Sequence, residues 1–127
     1  MLHRLLSLGS IVLFLTGCDG HVFVVATIRD TVNNPISGAQ VQLYSGQHWS
    51  FESSSDSHGC VRVGGATAPS HFRYRVLVTH PDYVEVSTEV ENLHLLAVTL
   101  RKTHEGRSTL KILPYSEATS SPCRPAY

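Results

Sequence analysis

Ala39-Gln40-Val41-Gln42-Leu43-Tyr44 is the stretch that decides the fold. Apolar and polar residues alternate along it, the period of a strand with one face buried and the other wet. Upstream, Asp30 to Pro35 and Gly38 supply turn chemistry, and Val22-Phe-Val-Val-Ala-Thr-Ile-Arg29 is a β-branched run suited to a first strand. Downstream, His48 to Ser53 reads as a third strand, the turn Ser55-Asp56-Ser57-His58-Gly59 follows, and Cys60-Val61-Arg62-Val63 completes a hairpin pair. Gly64 to Pro69 reads as a loop. Phe72 to Val78 then places Tyr74, Val76 and Val78 on one face, against Arg73, Arg75 and Thr79 on the other. His80-Pro81-Asp82-Tyr83 turns the chain because proline fixes its own φ and lacks a ladder donor. Val84 and Val86 alternate with Glu85 and Ser87, and Leu93 to Leu100 forms the last strand with Leu96, Val98 and Leu100 inward. Residues 22–101 are therefore expected to form an all-β domain, a seven-stranded antiparallel β-sandwich. Residues 102–127 read as a Ser/Pro-rich, mostly irregular tail, in which Leu110 to Tyr115 either adds an edge strand or stays an arm.

The chain has 127 residues, 42% of them hydrophobic, with ten Lys+Arg against ten Asp+Glu. A chain of this length suits one domain. Its apolar content is too high and its net charge too low for a disordered polymer. Charge balance without a clustered Lys/Arg stripe argues against nucleic acid as a partner.

The densest apolar run comes first. Met1-Leu-His-Arg4 carries a positive charge, and Leu5 to Leu15 is almost continuously apolar before Thr16-Gly17-Cys18-Asp19. That order, charge and then a short apolar run ending in small residues, is the layout of a helical secretion signal that is cleaved. A membrane span would need about 20 apolar residues, more than this run supplies. Leu15-Thr16-Gly17-Cys18 resembles the lipobox of bacterial lipoproteins. The resemblance implies that residues 1–17 are a lipoprotein signal peptide and that residues 18–21 are a lipidated N-terminus and short linker. The Cys18 thiol would carry a diacylglyceryl group by thioether, and its freed amino group would usually be acylated as well. The partner so implied is the lipid bilayer, with the domain facing the periplasm, because several acyl chains hold stably where one is marginal. An Asp after the lipidated Cys is associated with inner-membrane retention in enteric-type bacteria; Asp19 therefore favours the inner membrane, with the outer membrane as the alternative. Signal removal leaves nine Lys+Arg, Arg4 having gone, against ten Asp+Glu, so the membrane contact falls to the lipid rather than to a basic surface.

With Cys18 used for lipid, Cys60 and Cys123 remain in a compartment that permits disulfides. They allow one internal pairing. Spacing does not decide whether they bond or stay free, because geometry does.

Several segments then succeed one another in a recognisable order: Pro35-Ile36-Ser37-Gly38-Ala39-Gln40-Val41-Gln42-Leu43, Asp56-Ser57-His58-Gly59, Tyr74-Arg75-Val76-Leu77-Val78, His80-Pro81-Asp82-Tyr83 and Val98-Thr99-Leu100. Over residues 22–101 this resembles the carboxypeptidase regulatory-like domain, a transthyretin-like or prealbumin-like β-sandwich. Two positions depart from the pattern: Asp82 stands where the family usually has Gly, and Cys60 where it often has an apolar or aromatic residue. Domains of that family commonly serve as scaffolding or recognition modules, so the resemblance implies a non-catalytic binding or structural role, with an envelope protein or a glycan as partner. Transthyretin-related hydroxyisourate hydrolases provide the enzymatic alternative. Their C-terminal Tyr-Arg-Gly-Ser signature does not occur in Ser121-Pro-Cys-Arg-Pro-Ala-Tyr127.

Chemistry-bearing motifs are sparse. No Gly-x-Ser-x-Gly elbow occurs, and no catalytic residue is assigned. His21, His48, His58, His71, His80, His94 and His104 show no His-x-x-x-His or Cys-x-x-Cys spacing, so neither a metal site nor a cofactor is expected. Trp49 and Phe51, two apart on a Ser-rich strand and so expected on one face, are the candidate contact residues. The competing expectation is that both pack in the core. Arg73 and Arg75 are expected to pair across strands with Glu85 and Glu89.

Overall fold

The computed structural model describes residues 20–45, 48–67, 73–90, 93–114 and 123, and the side chains of most of them. Within these residues the chain forms eight strands: β1 (Gly20–Arg29), β2 (Gln40–Ser45), β3 (His48–Ser54), β4 (Cys60–Thr67), β5 (Tyr74–His80), β6 (Tyr83–Val90), β7 (Leu93–Thr99) and β8 (Thr109–Leu113). One 3-10 turn, Thr103–Glu105, precedes β8. The strands make two four-stranded sheets, a first sheet in the order β4-β1-β7-β8 and a second in the order β3-β2-β5-β6. No helix among the described residues is long and apolar enough to cross a membrane.

The alternation read along β2, β5 and β7 becomes part of the inter-sheet core, which β1 and β4 complete. Val24, Ala26 and Ile28 of β1, Val41 and Leu43 of β2, Val61 and Val63 of β4, Tyr74, Val76 and Val78 of β5, and Leu96 and Val98 of β7 form one buried cluster. The residues between them face away. On β5, for instance, Arg75 is exposed between buried Tyr74 and Val76. Burying such side chains is the main favourable term in folding, about 1.5–3 kcal/mol for each Val or Leu.

Three expectations about the architecture are corrected. There are eight described strands rather than seven, because residues 109–113 of the tail pair antiparallel with β7 from Leu95↔Leu113 to Thr99↔Thr109. The alternation Leu110-Lys111-Ile112 suits that role, and Leu110 packs on the core. The sandwich is also not wholly antiparallel: β1 and β7 pair in parallel from Phe23↔Leu93 to Arg29↔Thr99. Adjacent antiparallel strands can be joined by a tight turn, whereas β7 reaches β1 only after the chain has built the second sheet, so no short turn sets its direction. Finally, Gly64 to Thr67 continue β4 instead of looping out, since β1 begins early enough to offer Gly20↔Thr67 and Phe23↔Gly64 pairing.

Two glycines hold places where a side chain does not fit. Gly59 has φ +74, and a Cβ there would run into the Ile28 carbonyl oxygen, because the Asp56-Gly59 turn closes directly on β1. The Ile28 amide in turn donates to the Gly59 carbonyl at 2.7 Å. At Gly65 a Cβ would sit 2.9 Å from the Phe51 ring, so the missing side chain leaves room for the aromatic.

Candidate functional site

The loops at the end of the sandwich where β1 finishes are bound together by short polar contacts. Ser55, 5% exposed, accepts from the Ala39 amide at 2.9 Å and donates to the Ile36 carbonyl at 2.7 Å. Ser108, also buried, accepts from the Arg101 amide at 2.8 Å and donates to the Val84 carbonyl. Thr31 donates to Glu105 at 3.1 Å, linking the β1–β2 loop to the loop before β8.

Two carboxylates there are held below the usual range. Asp56 accepts from the backbone amides of Cys60 (3.0 Å) and His58 (2.9 Å), and these bonds favour its charged form. Glu105 is lowered chiefly by the Lys102 amide at 2.9 Å, with help from Thr31. Both groups spend their charge on turn backbone.

Beside this end, on the outer face of the second sheet, lies an open cleft of about 470 Å³ lined by Gly38, Gln40, Ser54, Thr79, His80 and Pro81. Register explains its straight floor. Gln40 stands directly opposite Ser54 on β3 and directly opposite Thr79 on β5, so three polar residues cross three strands in one row. The β5–β6 ladder shifts between Val78 and His80, leaving Thr79 out of register with β6, and the His80-Tyr83 turn closes the row. The Asp82 amide donates to His80 Nδ1 at 3.2 Å, and the His80 ring meets Tyr83 edge-on at 5.1 Å. With Nδ1 accepting, the neutral imidazole carries its proton on Nε2.

The residues singled out from the sequence scatter. Cys18 and Asp19 lie outside the described residues, as does the remainder of the signal segment. Cys60 and Cys123 are joined by a disulfide with a Cα–Cα distance of 5.3 Å. Cys123 is 4% exposed and packs with Val25 and Leu95 on the outer face of the first sheet, where Cys60 and Leu113 join them. Phe51 is half-buried and packs on the inter-sheet core. Trp49 belongs to β3, and its side chain lies outside the described residues. The β2–β3 ladder shifts at Leu43/Tyr44, with Phe51 opposite Leu43 and Trp49 opposite Tyr44, and the expectation that the two side chains share a face lies outside the described residues. Arg75 stands opposite Glu89, and its guanidinium donates to Ser87 at 3.1 Å. Among the described residues no group of three His, Cys, Asp or Glu is placed to hold a metal ion.

The row Ser54–Gln40–Thr79 was half visible in the sequence. Alternation put Gln40 and Thr79 on wet faces, but their alignment with each other and with Ser54 depends on register.

No family model and no curated protein matches the chain. Among solved structures it is similar to wild-type catechol 1,2-dioxygenase of Acinetobacter radioresistens, with a TM-score of 0.45 and 12% identity over 74% of this chain and 50% of that one. A second, 3-chlorocatechol 1,2-dioxygenase from Rhodococcus opacus 1CP, gives a TM-score of 0.43 and 8% identity over 74% of this chain and 61% of that one. The chain thus spans about half to three-fifths of these enzymes' length.

Proposed function

We propose that this protein is a lipid-anchored lipoprotein of the bacterial cell envelope whose sandwich acts as a non-catalytic binding or structural module. The observation that carries the reading is the closeness of the lipobox cysteine to the fold: Cys18 stands two residues ahead of Gly20, the first residue of β1. Two residues reach about 7 Å at most, so acyl chains on Cys18 would hold the β1 entry end of the sandwich against the headgroups. β1 spans ten residues, and its far end would stand roughly 30 Å from the anchor. The loops bound by Ser55, Ser108 and Glu105, and the cleft beside them, lie at that far end and would face the periplasm, where an envelope protein or a glycan is within reach. The role given to the perturbed carboxylates supports a structural rather than a catalytic use of this end, since both are engaged by backbone amides.

The test is the mature N-terminus. Mass spectrometry should find an N-terminal Cys18 carrying diacylglyceryl, with N-acylation, and Cys18→Ala should move the protein out of the membrane fraction. Unmodified protein, or a Cys18→Ala variant that stays membrane-bound, overturns the anchor. Asp19 favours the inner membrane, and membrane separation of wild type against Asp19→Ser reads that preference directly.

A further inference from the structure

We propose that the row Ser54–Gln40–Thr79, closed by His80, is a binding site for an uncharged, hydroxyl-rich ligand: a short stretch of neutral glycan. The inference deepens the binding-module reading and rests on it.

Four observations converge on this cleft. Its lining residues, Gly38, Gln40, Ser54, Thr79, His80 and Pro81, include no Lys, Arg, Asp or Glu, so nothing in it is built to neutralise an anion or a cation. Its side chains are a carboxamide and two hydroxyls, groups that both donate and accept, as sugar hydroxyls do. Among the described residues these three side chains make no hydrogen bond with one another or with any other group, whereas Gln42, one row along the same face of β2, accepts from the Tyr44 hydroxyl at 3.2 Å. The row's bonding capacity is therefore open to a ligand. Lastly, the ladder irregularity frees Thr79 from cross-strand pairing with β6, and such irregularities re-aim side chains at sites.

Dimensions agree with the assignment. Three strands at about 4.8 Å spacing give a row of roughly 10 Å, enough for about two pyranose rings lying across the strands. Pro81 gives the cleft an apolar wall, suited to the C–H face of a sugar, and His80 Nε2–H adds a donor at the closed end. An open cleft of this kind stays wet, so affinity is modest, on the order of 1 mM. The cleft lies at the end of the sandwich away from Gly20, so a lipid on Cys18 would leave it unobstructed.

The experiment is an NMR titration of the full mature lipoprotein in a sugar-free zwitterionic detergent. The probes are chitotetraose and maltotetraose as neutral oligosaccharides, and tetragalacturonate as the acidic comparison. At least one neutral probe should shift the amides of Gln40, Ser54, Thr79 and His80 saturably, and tetragalacturonate should not. Gln40→Ala, a change on the outer face away from the core, should weaken binding about three- to tenfold, while Gln42→Ala should not. Neutral probes that leave the row unmoved, shifts centred elsewhere, stronger binding of tetragalacturonate, or a Gln40→Ala protein that binds like wild type would each overturn the assignment. The mass of the N-terminus in the same sample separates the two proposals: lipid present with no titration rejects the glycan site alone, and titration without lipid rejects the anchor alone.

Discussion

At Gly59 one missing methyl group decides whether a turn can close on β1. Gly59→Ala combines a left-handed φ, which costs a side-chain-bearing residue about 1–2 kcal/mol, with a clash against the Ile28 carbonyl that cannot swing aside. Its loss of stability, read from urea unfolding, should exceed the left-handed cost alone. Ser55 acts by a different mechanism. Ser55→Ala strips the buried Ala39 amide and Ile36 carbonyl of a shared partner and should cost about 1–3 kcal/mol in the same measurement. Asp56 supplies a pH dependence. Its carboxyl sits below the ordinary 3.8 in the folded chain, held there first by the Cys60 amide and then by that of His58. A depressed folded pKa stabilises above the unfolded value and loses that contribution as pH falls through the folded one. The urea midpoint of the wild type should therefore drop as pH falls below about 4, and Asp56→Asn should flatten that part of the profile.

At the scale of elements, β8 and the disulfide both tie the C-terminal segment to the first sheet. β8 gives β7 an antiparallel partner, and Leu110 rests on the core. Leu110→Ala, a half-buried truncation, should cost about 1–2 kcal/mol, below the range for a fully buried leucine. The Cys60–Cys123 bond closes a loop with a sequence separation of 63 and holds Cys123 over Val25 and Leu95. Restricting the unfolded chain over a loop of that size is worth about 3–4 kcal/mol. Reduction, or Cys123→Ser, should lower the unfolding free energy read from denaturant titration by that amount, and reduction should have no further effect on the Cys60→Ser/Cys123→Ser protein. The two core clusters give the reason for a second effect. Val25 and Leu95 face outward from the first sheet, so loss of the tether should speed amide exchange in β1 and β7 on that side.

For the whole molecule, the proposed anchor and the proposed site lie at opposite ends. β1 runs from the Cys18 end to the loops joined by Thr31 and Glu105, and the cleft opens beside those loops. Lipidation and ligand binding should therefore be separable. The soluble Cys18→Ala chain is expected to titrate neutral oligosaccharide with an affinity within about twofold of the lipidated protein, and a larger difference would place the bilayer in the site. Pull-down from envelope extracts with the lipidated chain, compared between wild type and Gln40→Ala, tests whether the cleft governs capture.

Alternation along single segments determined the β class, most turn positions, and the inward sets Val41 and Leu43, Tyr74 to Val78, and Leu96 to Leu100, because side-chain period and turn chemistry are local; the continuous apolar run of β1 left its inner face undecided. Gly38 and Gly59 were legible as turn residues for the same reason, and both take positive φ. The parallel pairing of β1 with β7, the recruitment of Thr109 to Leu113 as β8, and the ladder shifts beside Trp49 and Thr79 were decided only in three dimensions. Each depends on which distant segment fills a vacant strand edge, and a strand's own sequence carries its period but not its neighbour. The row Ser54–Gln40–Thr79 belongs to the second group. Three unremarkable polar residues from three strands share one line only because tertiary packing sets their register.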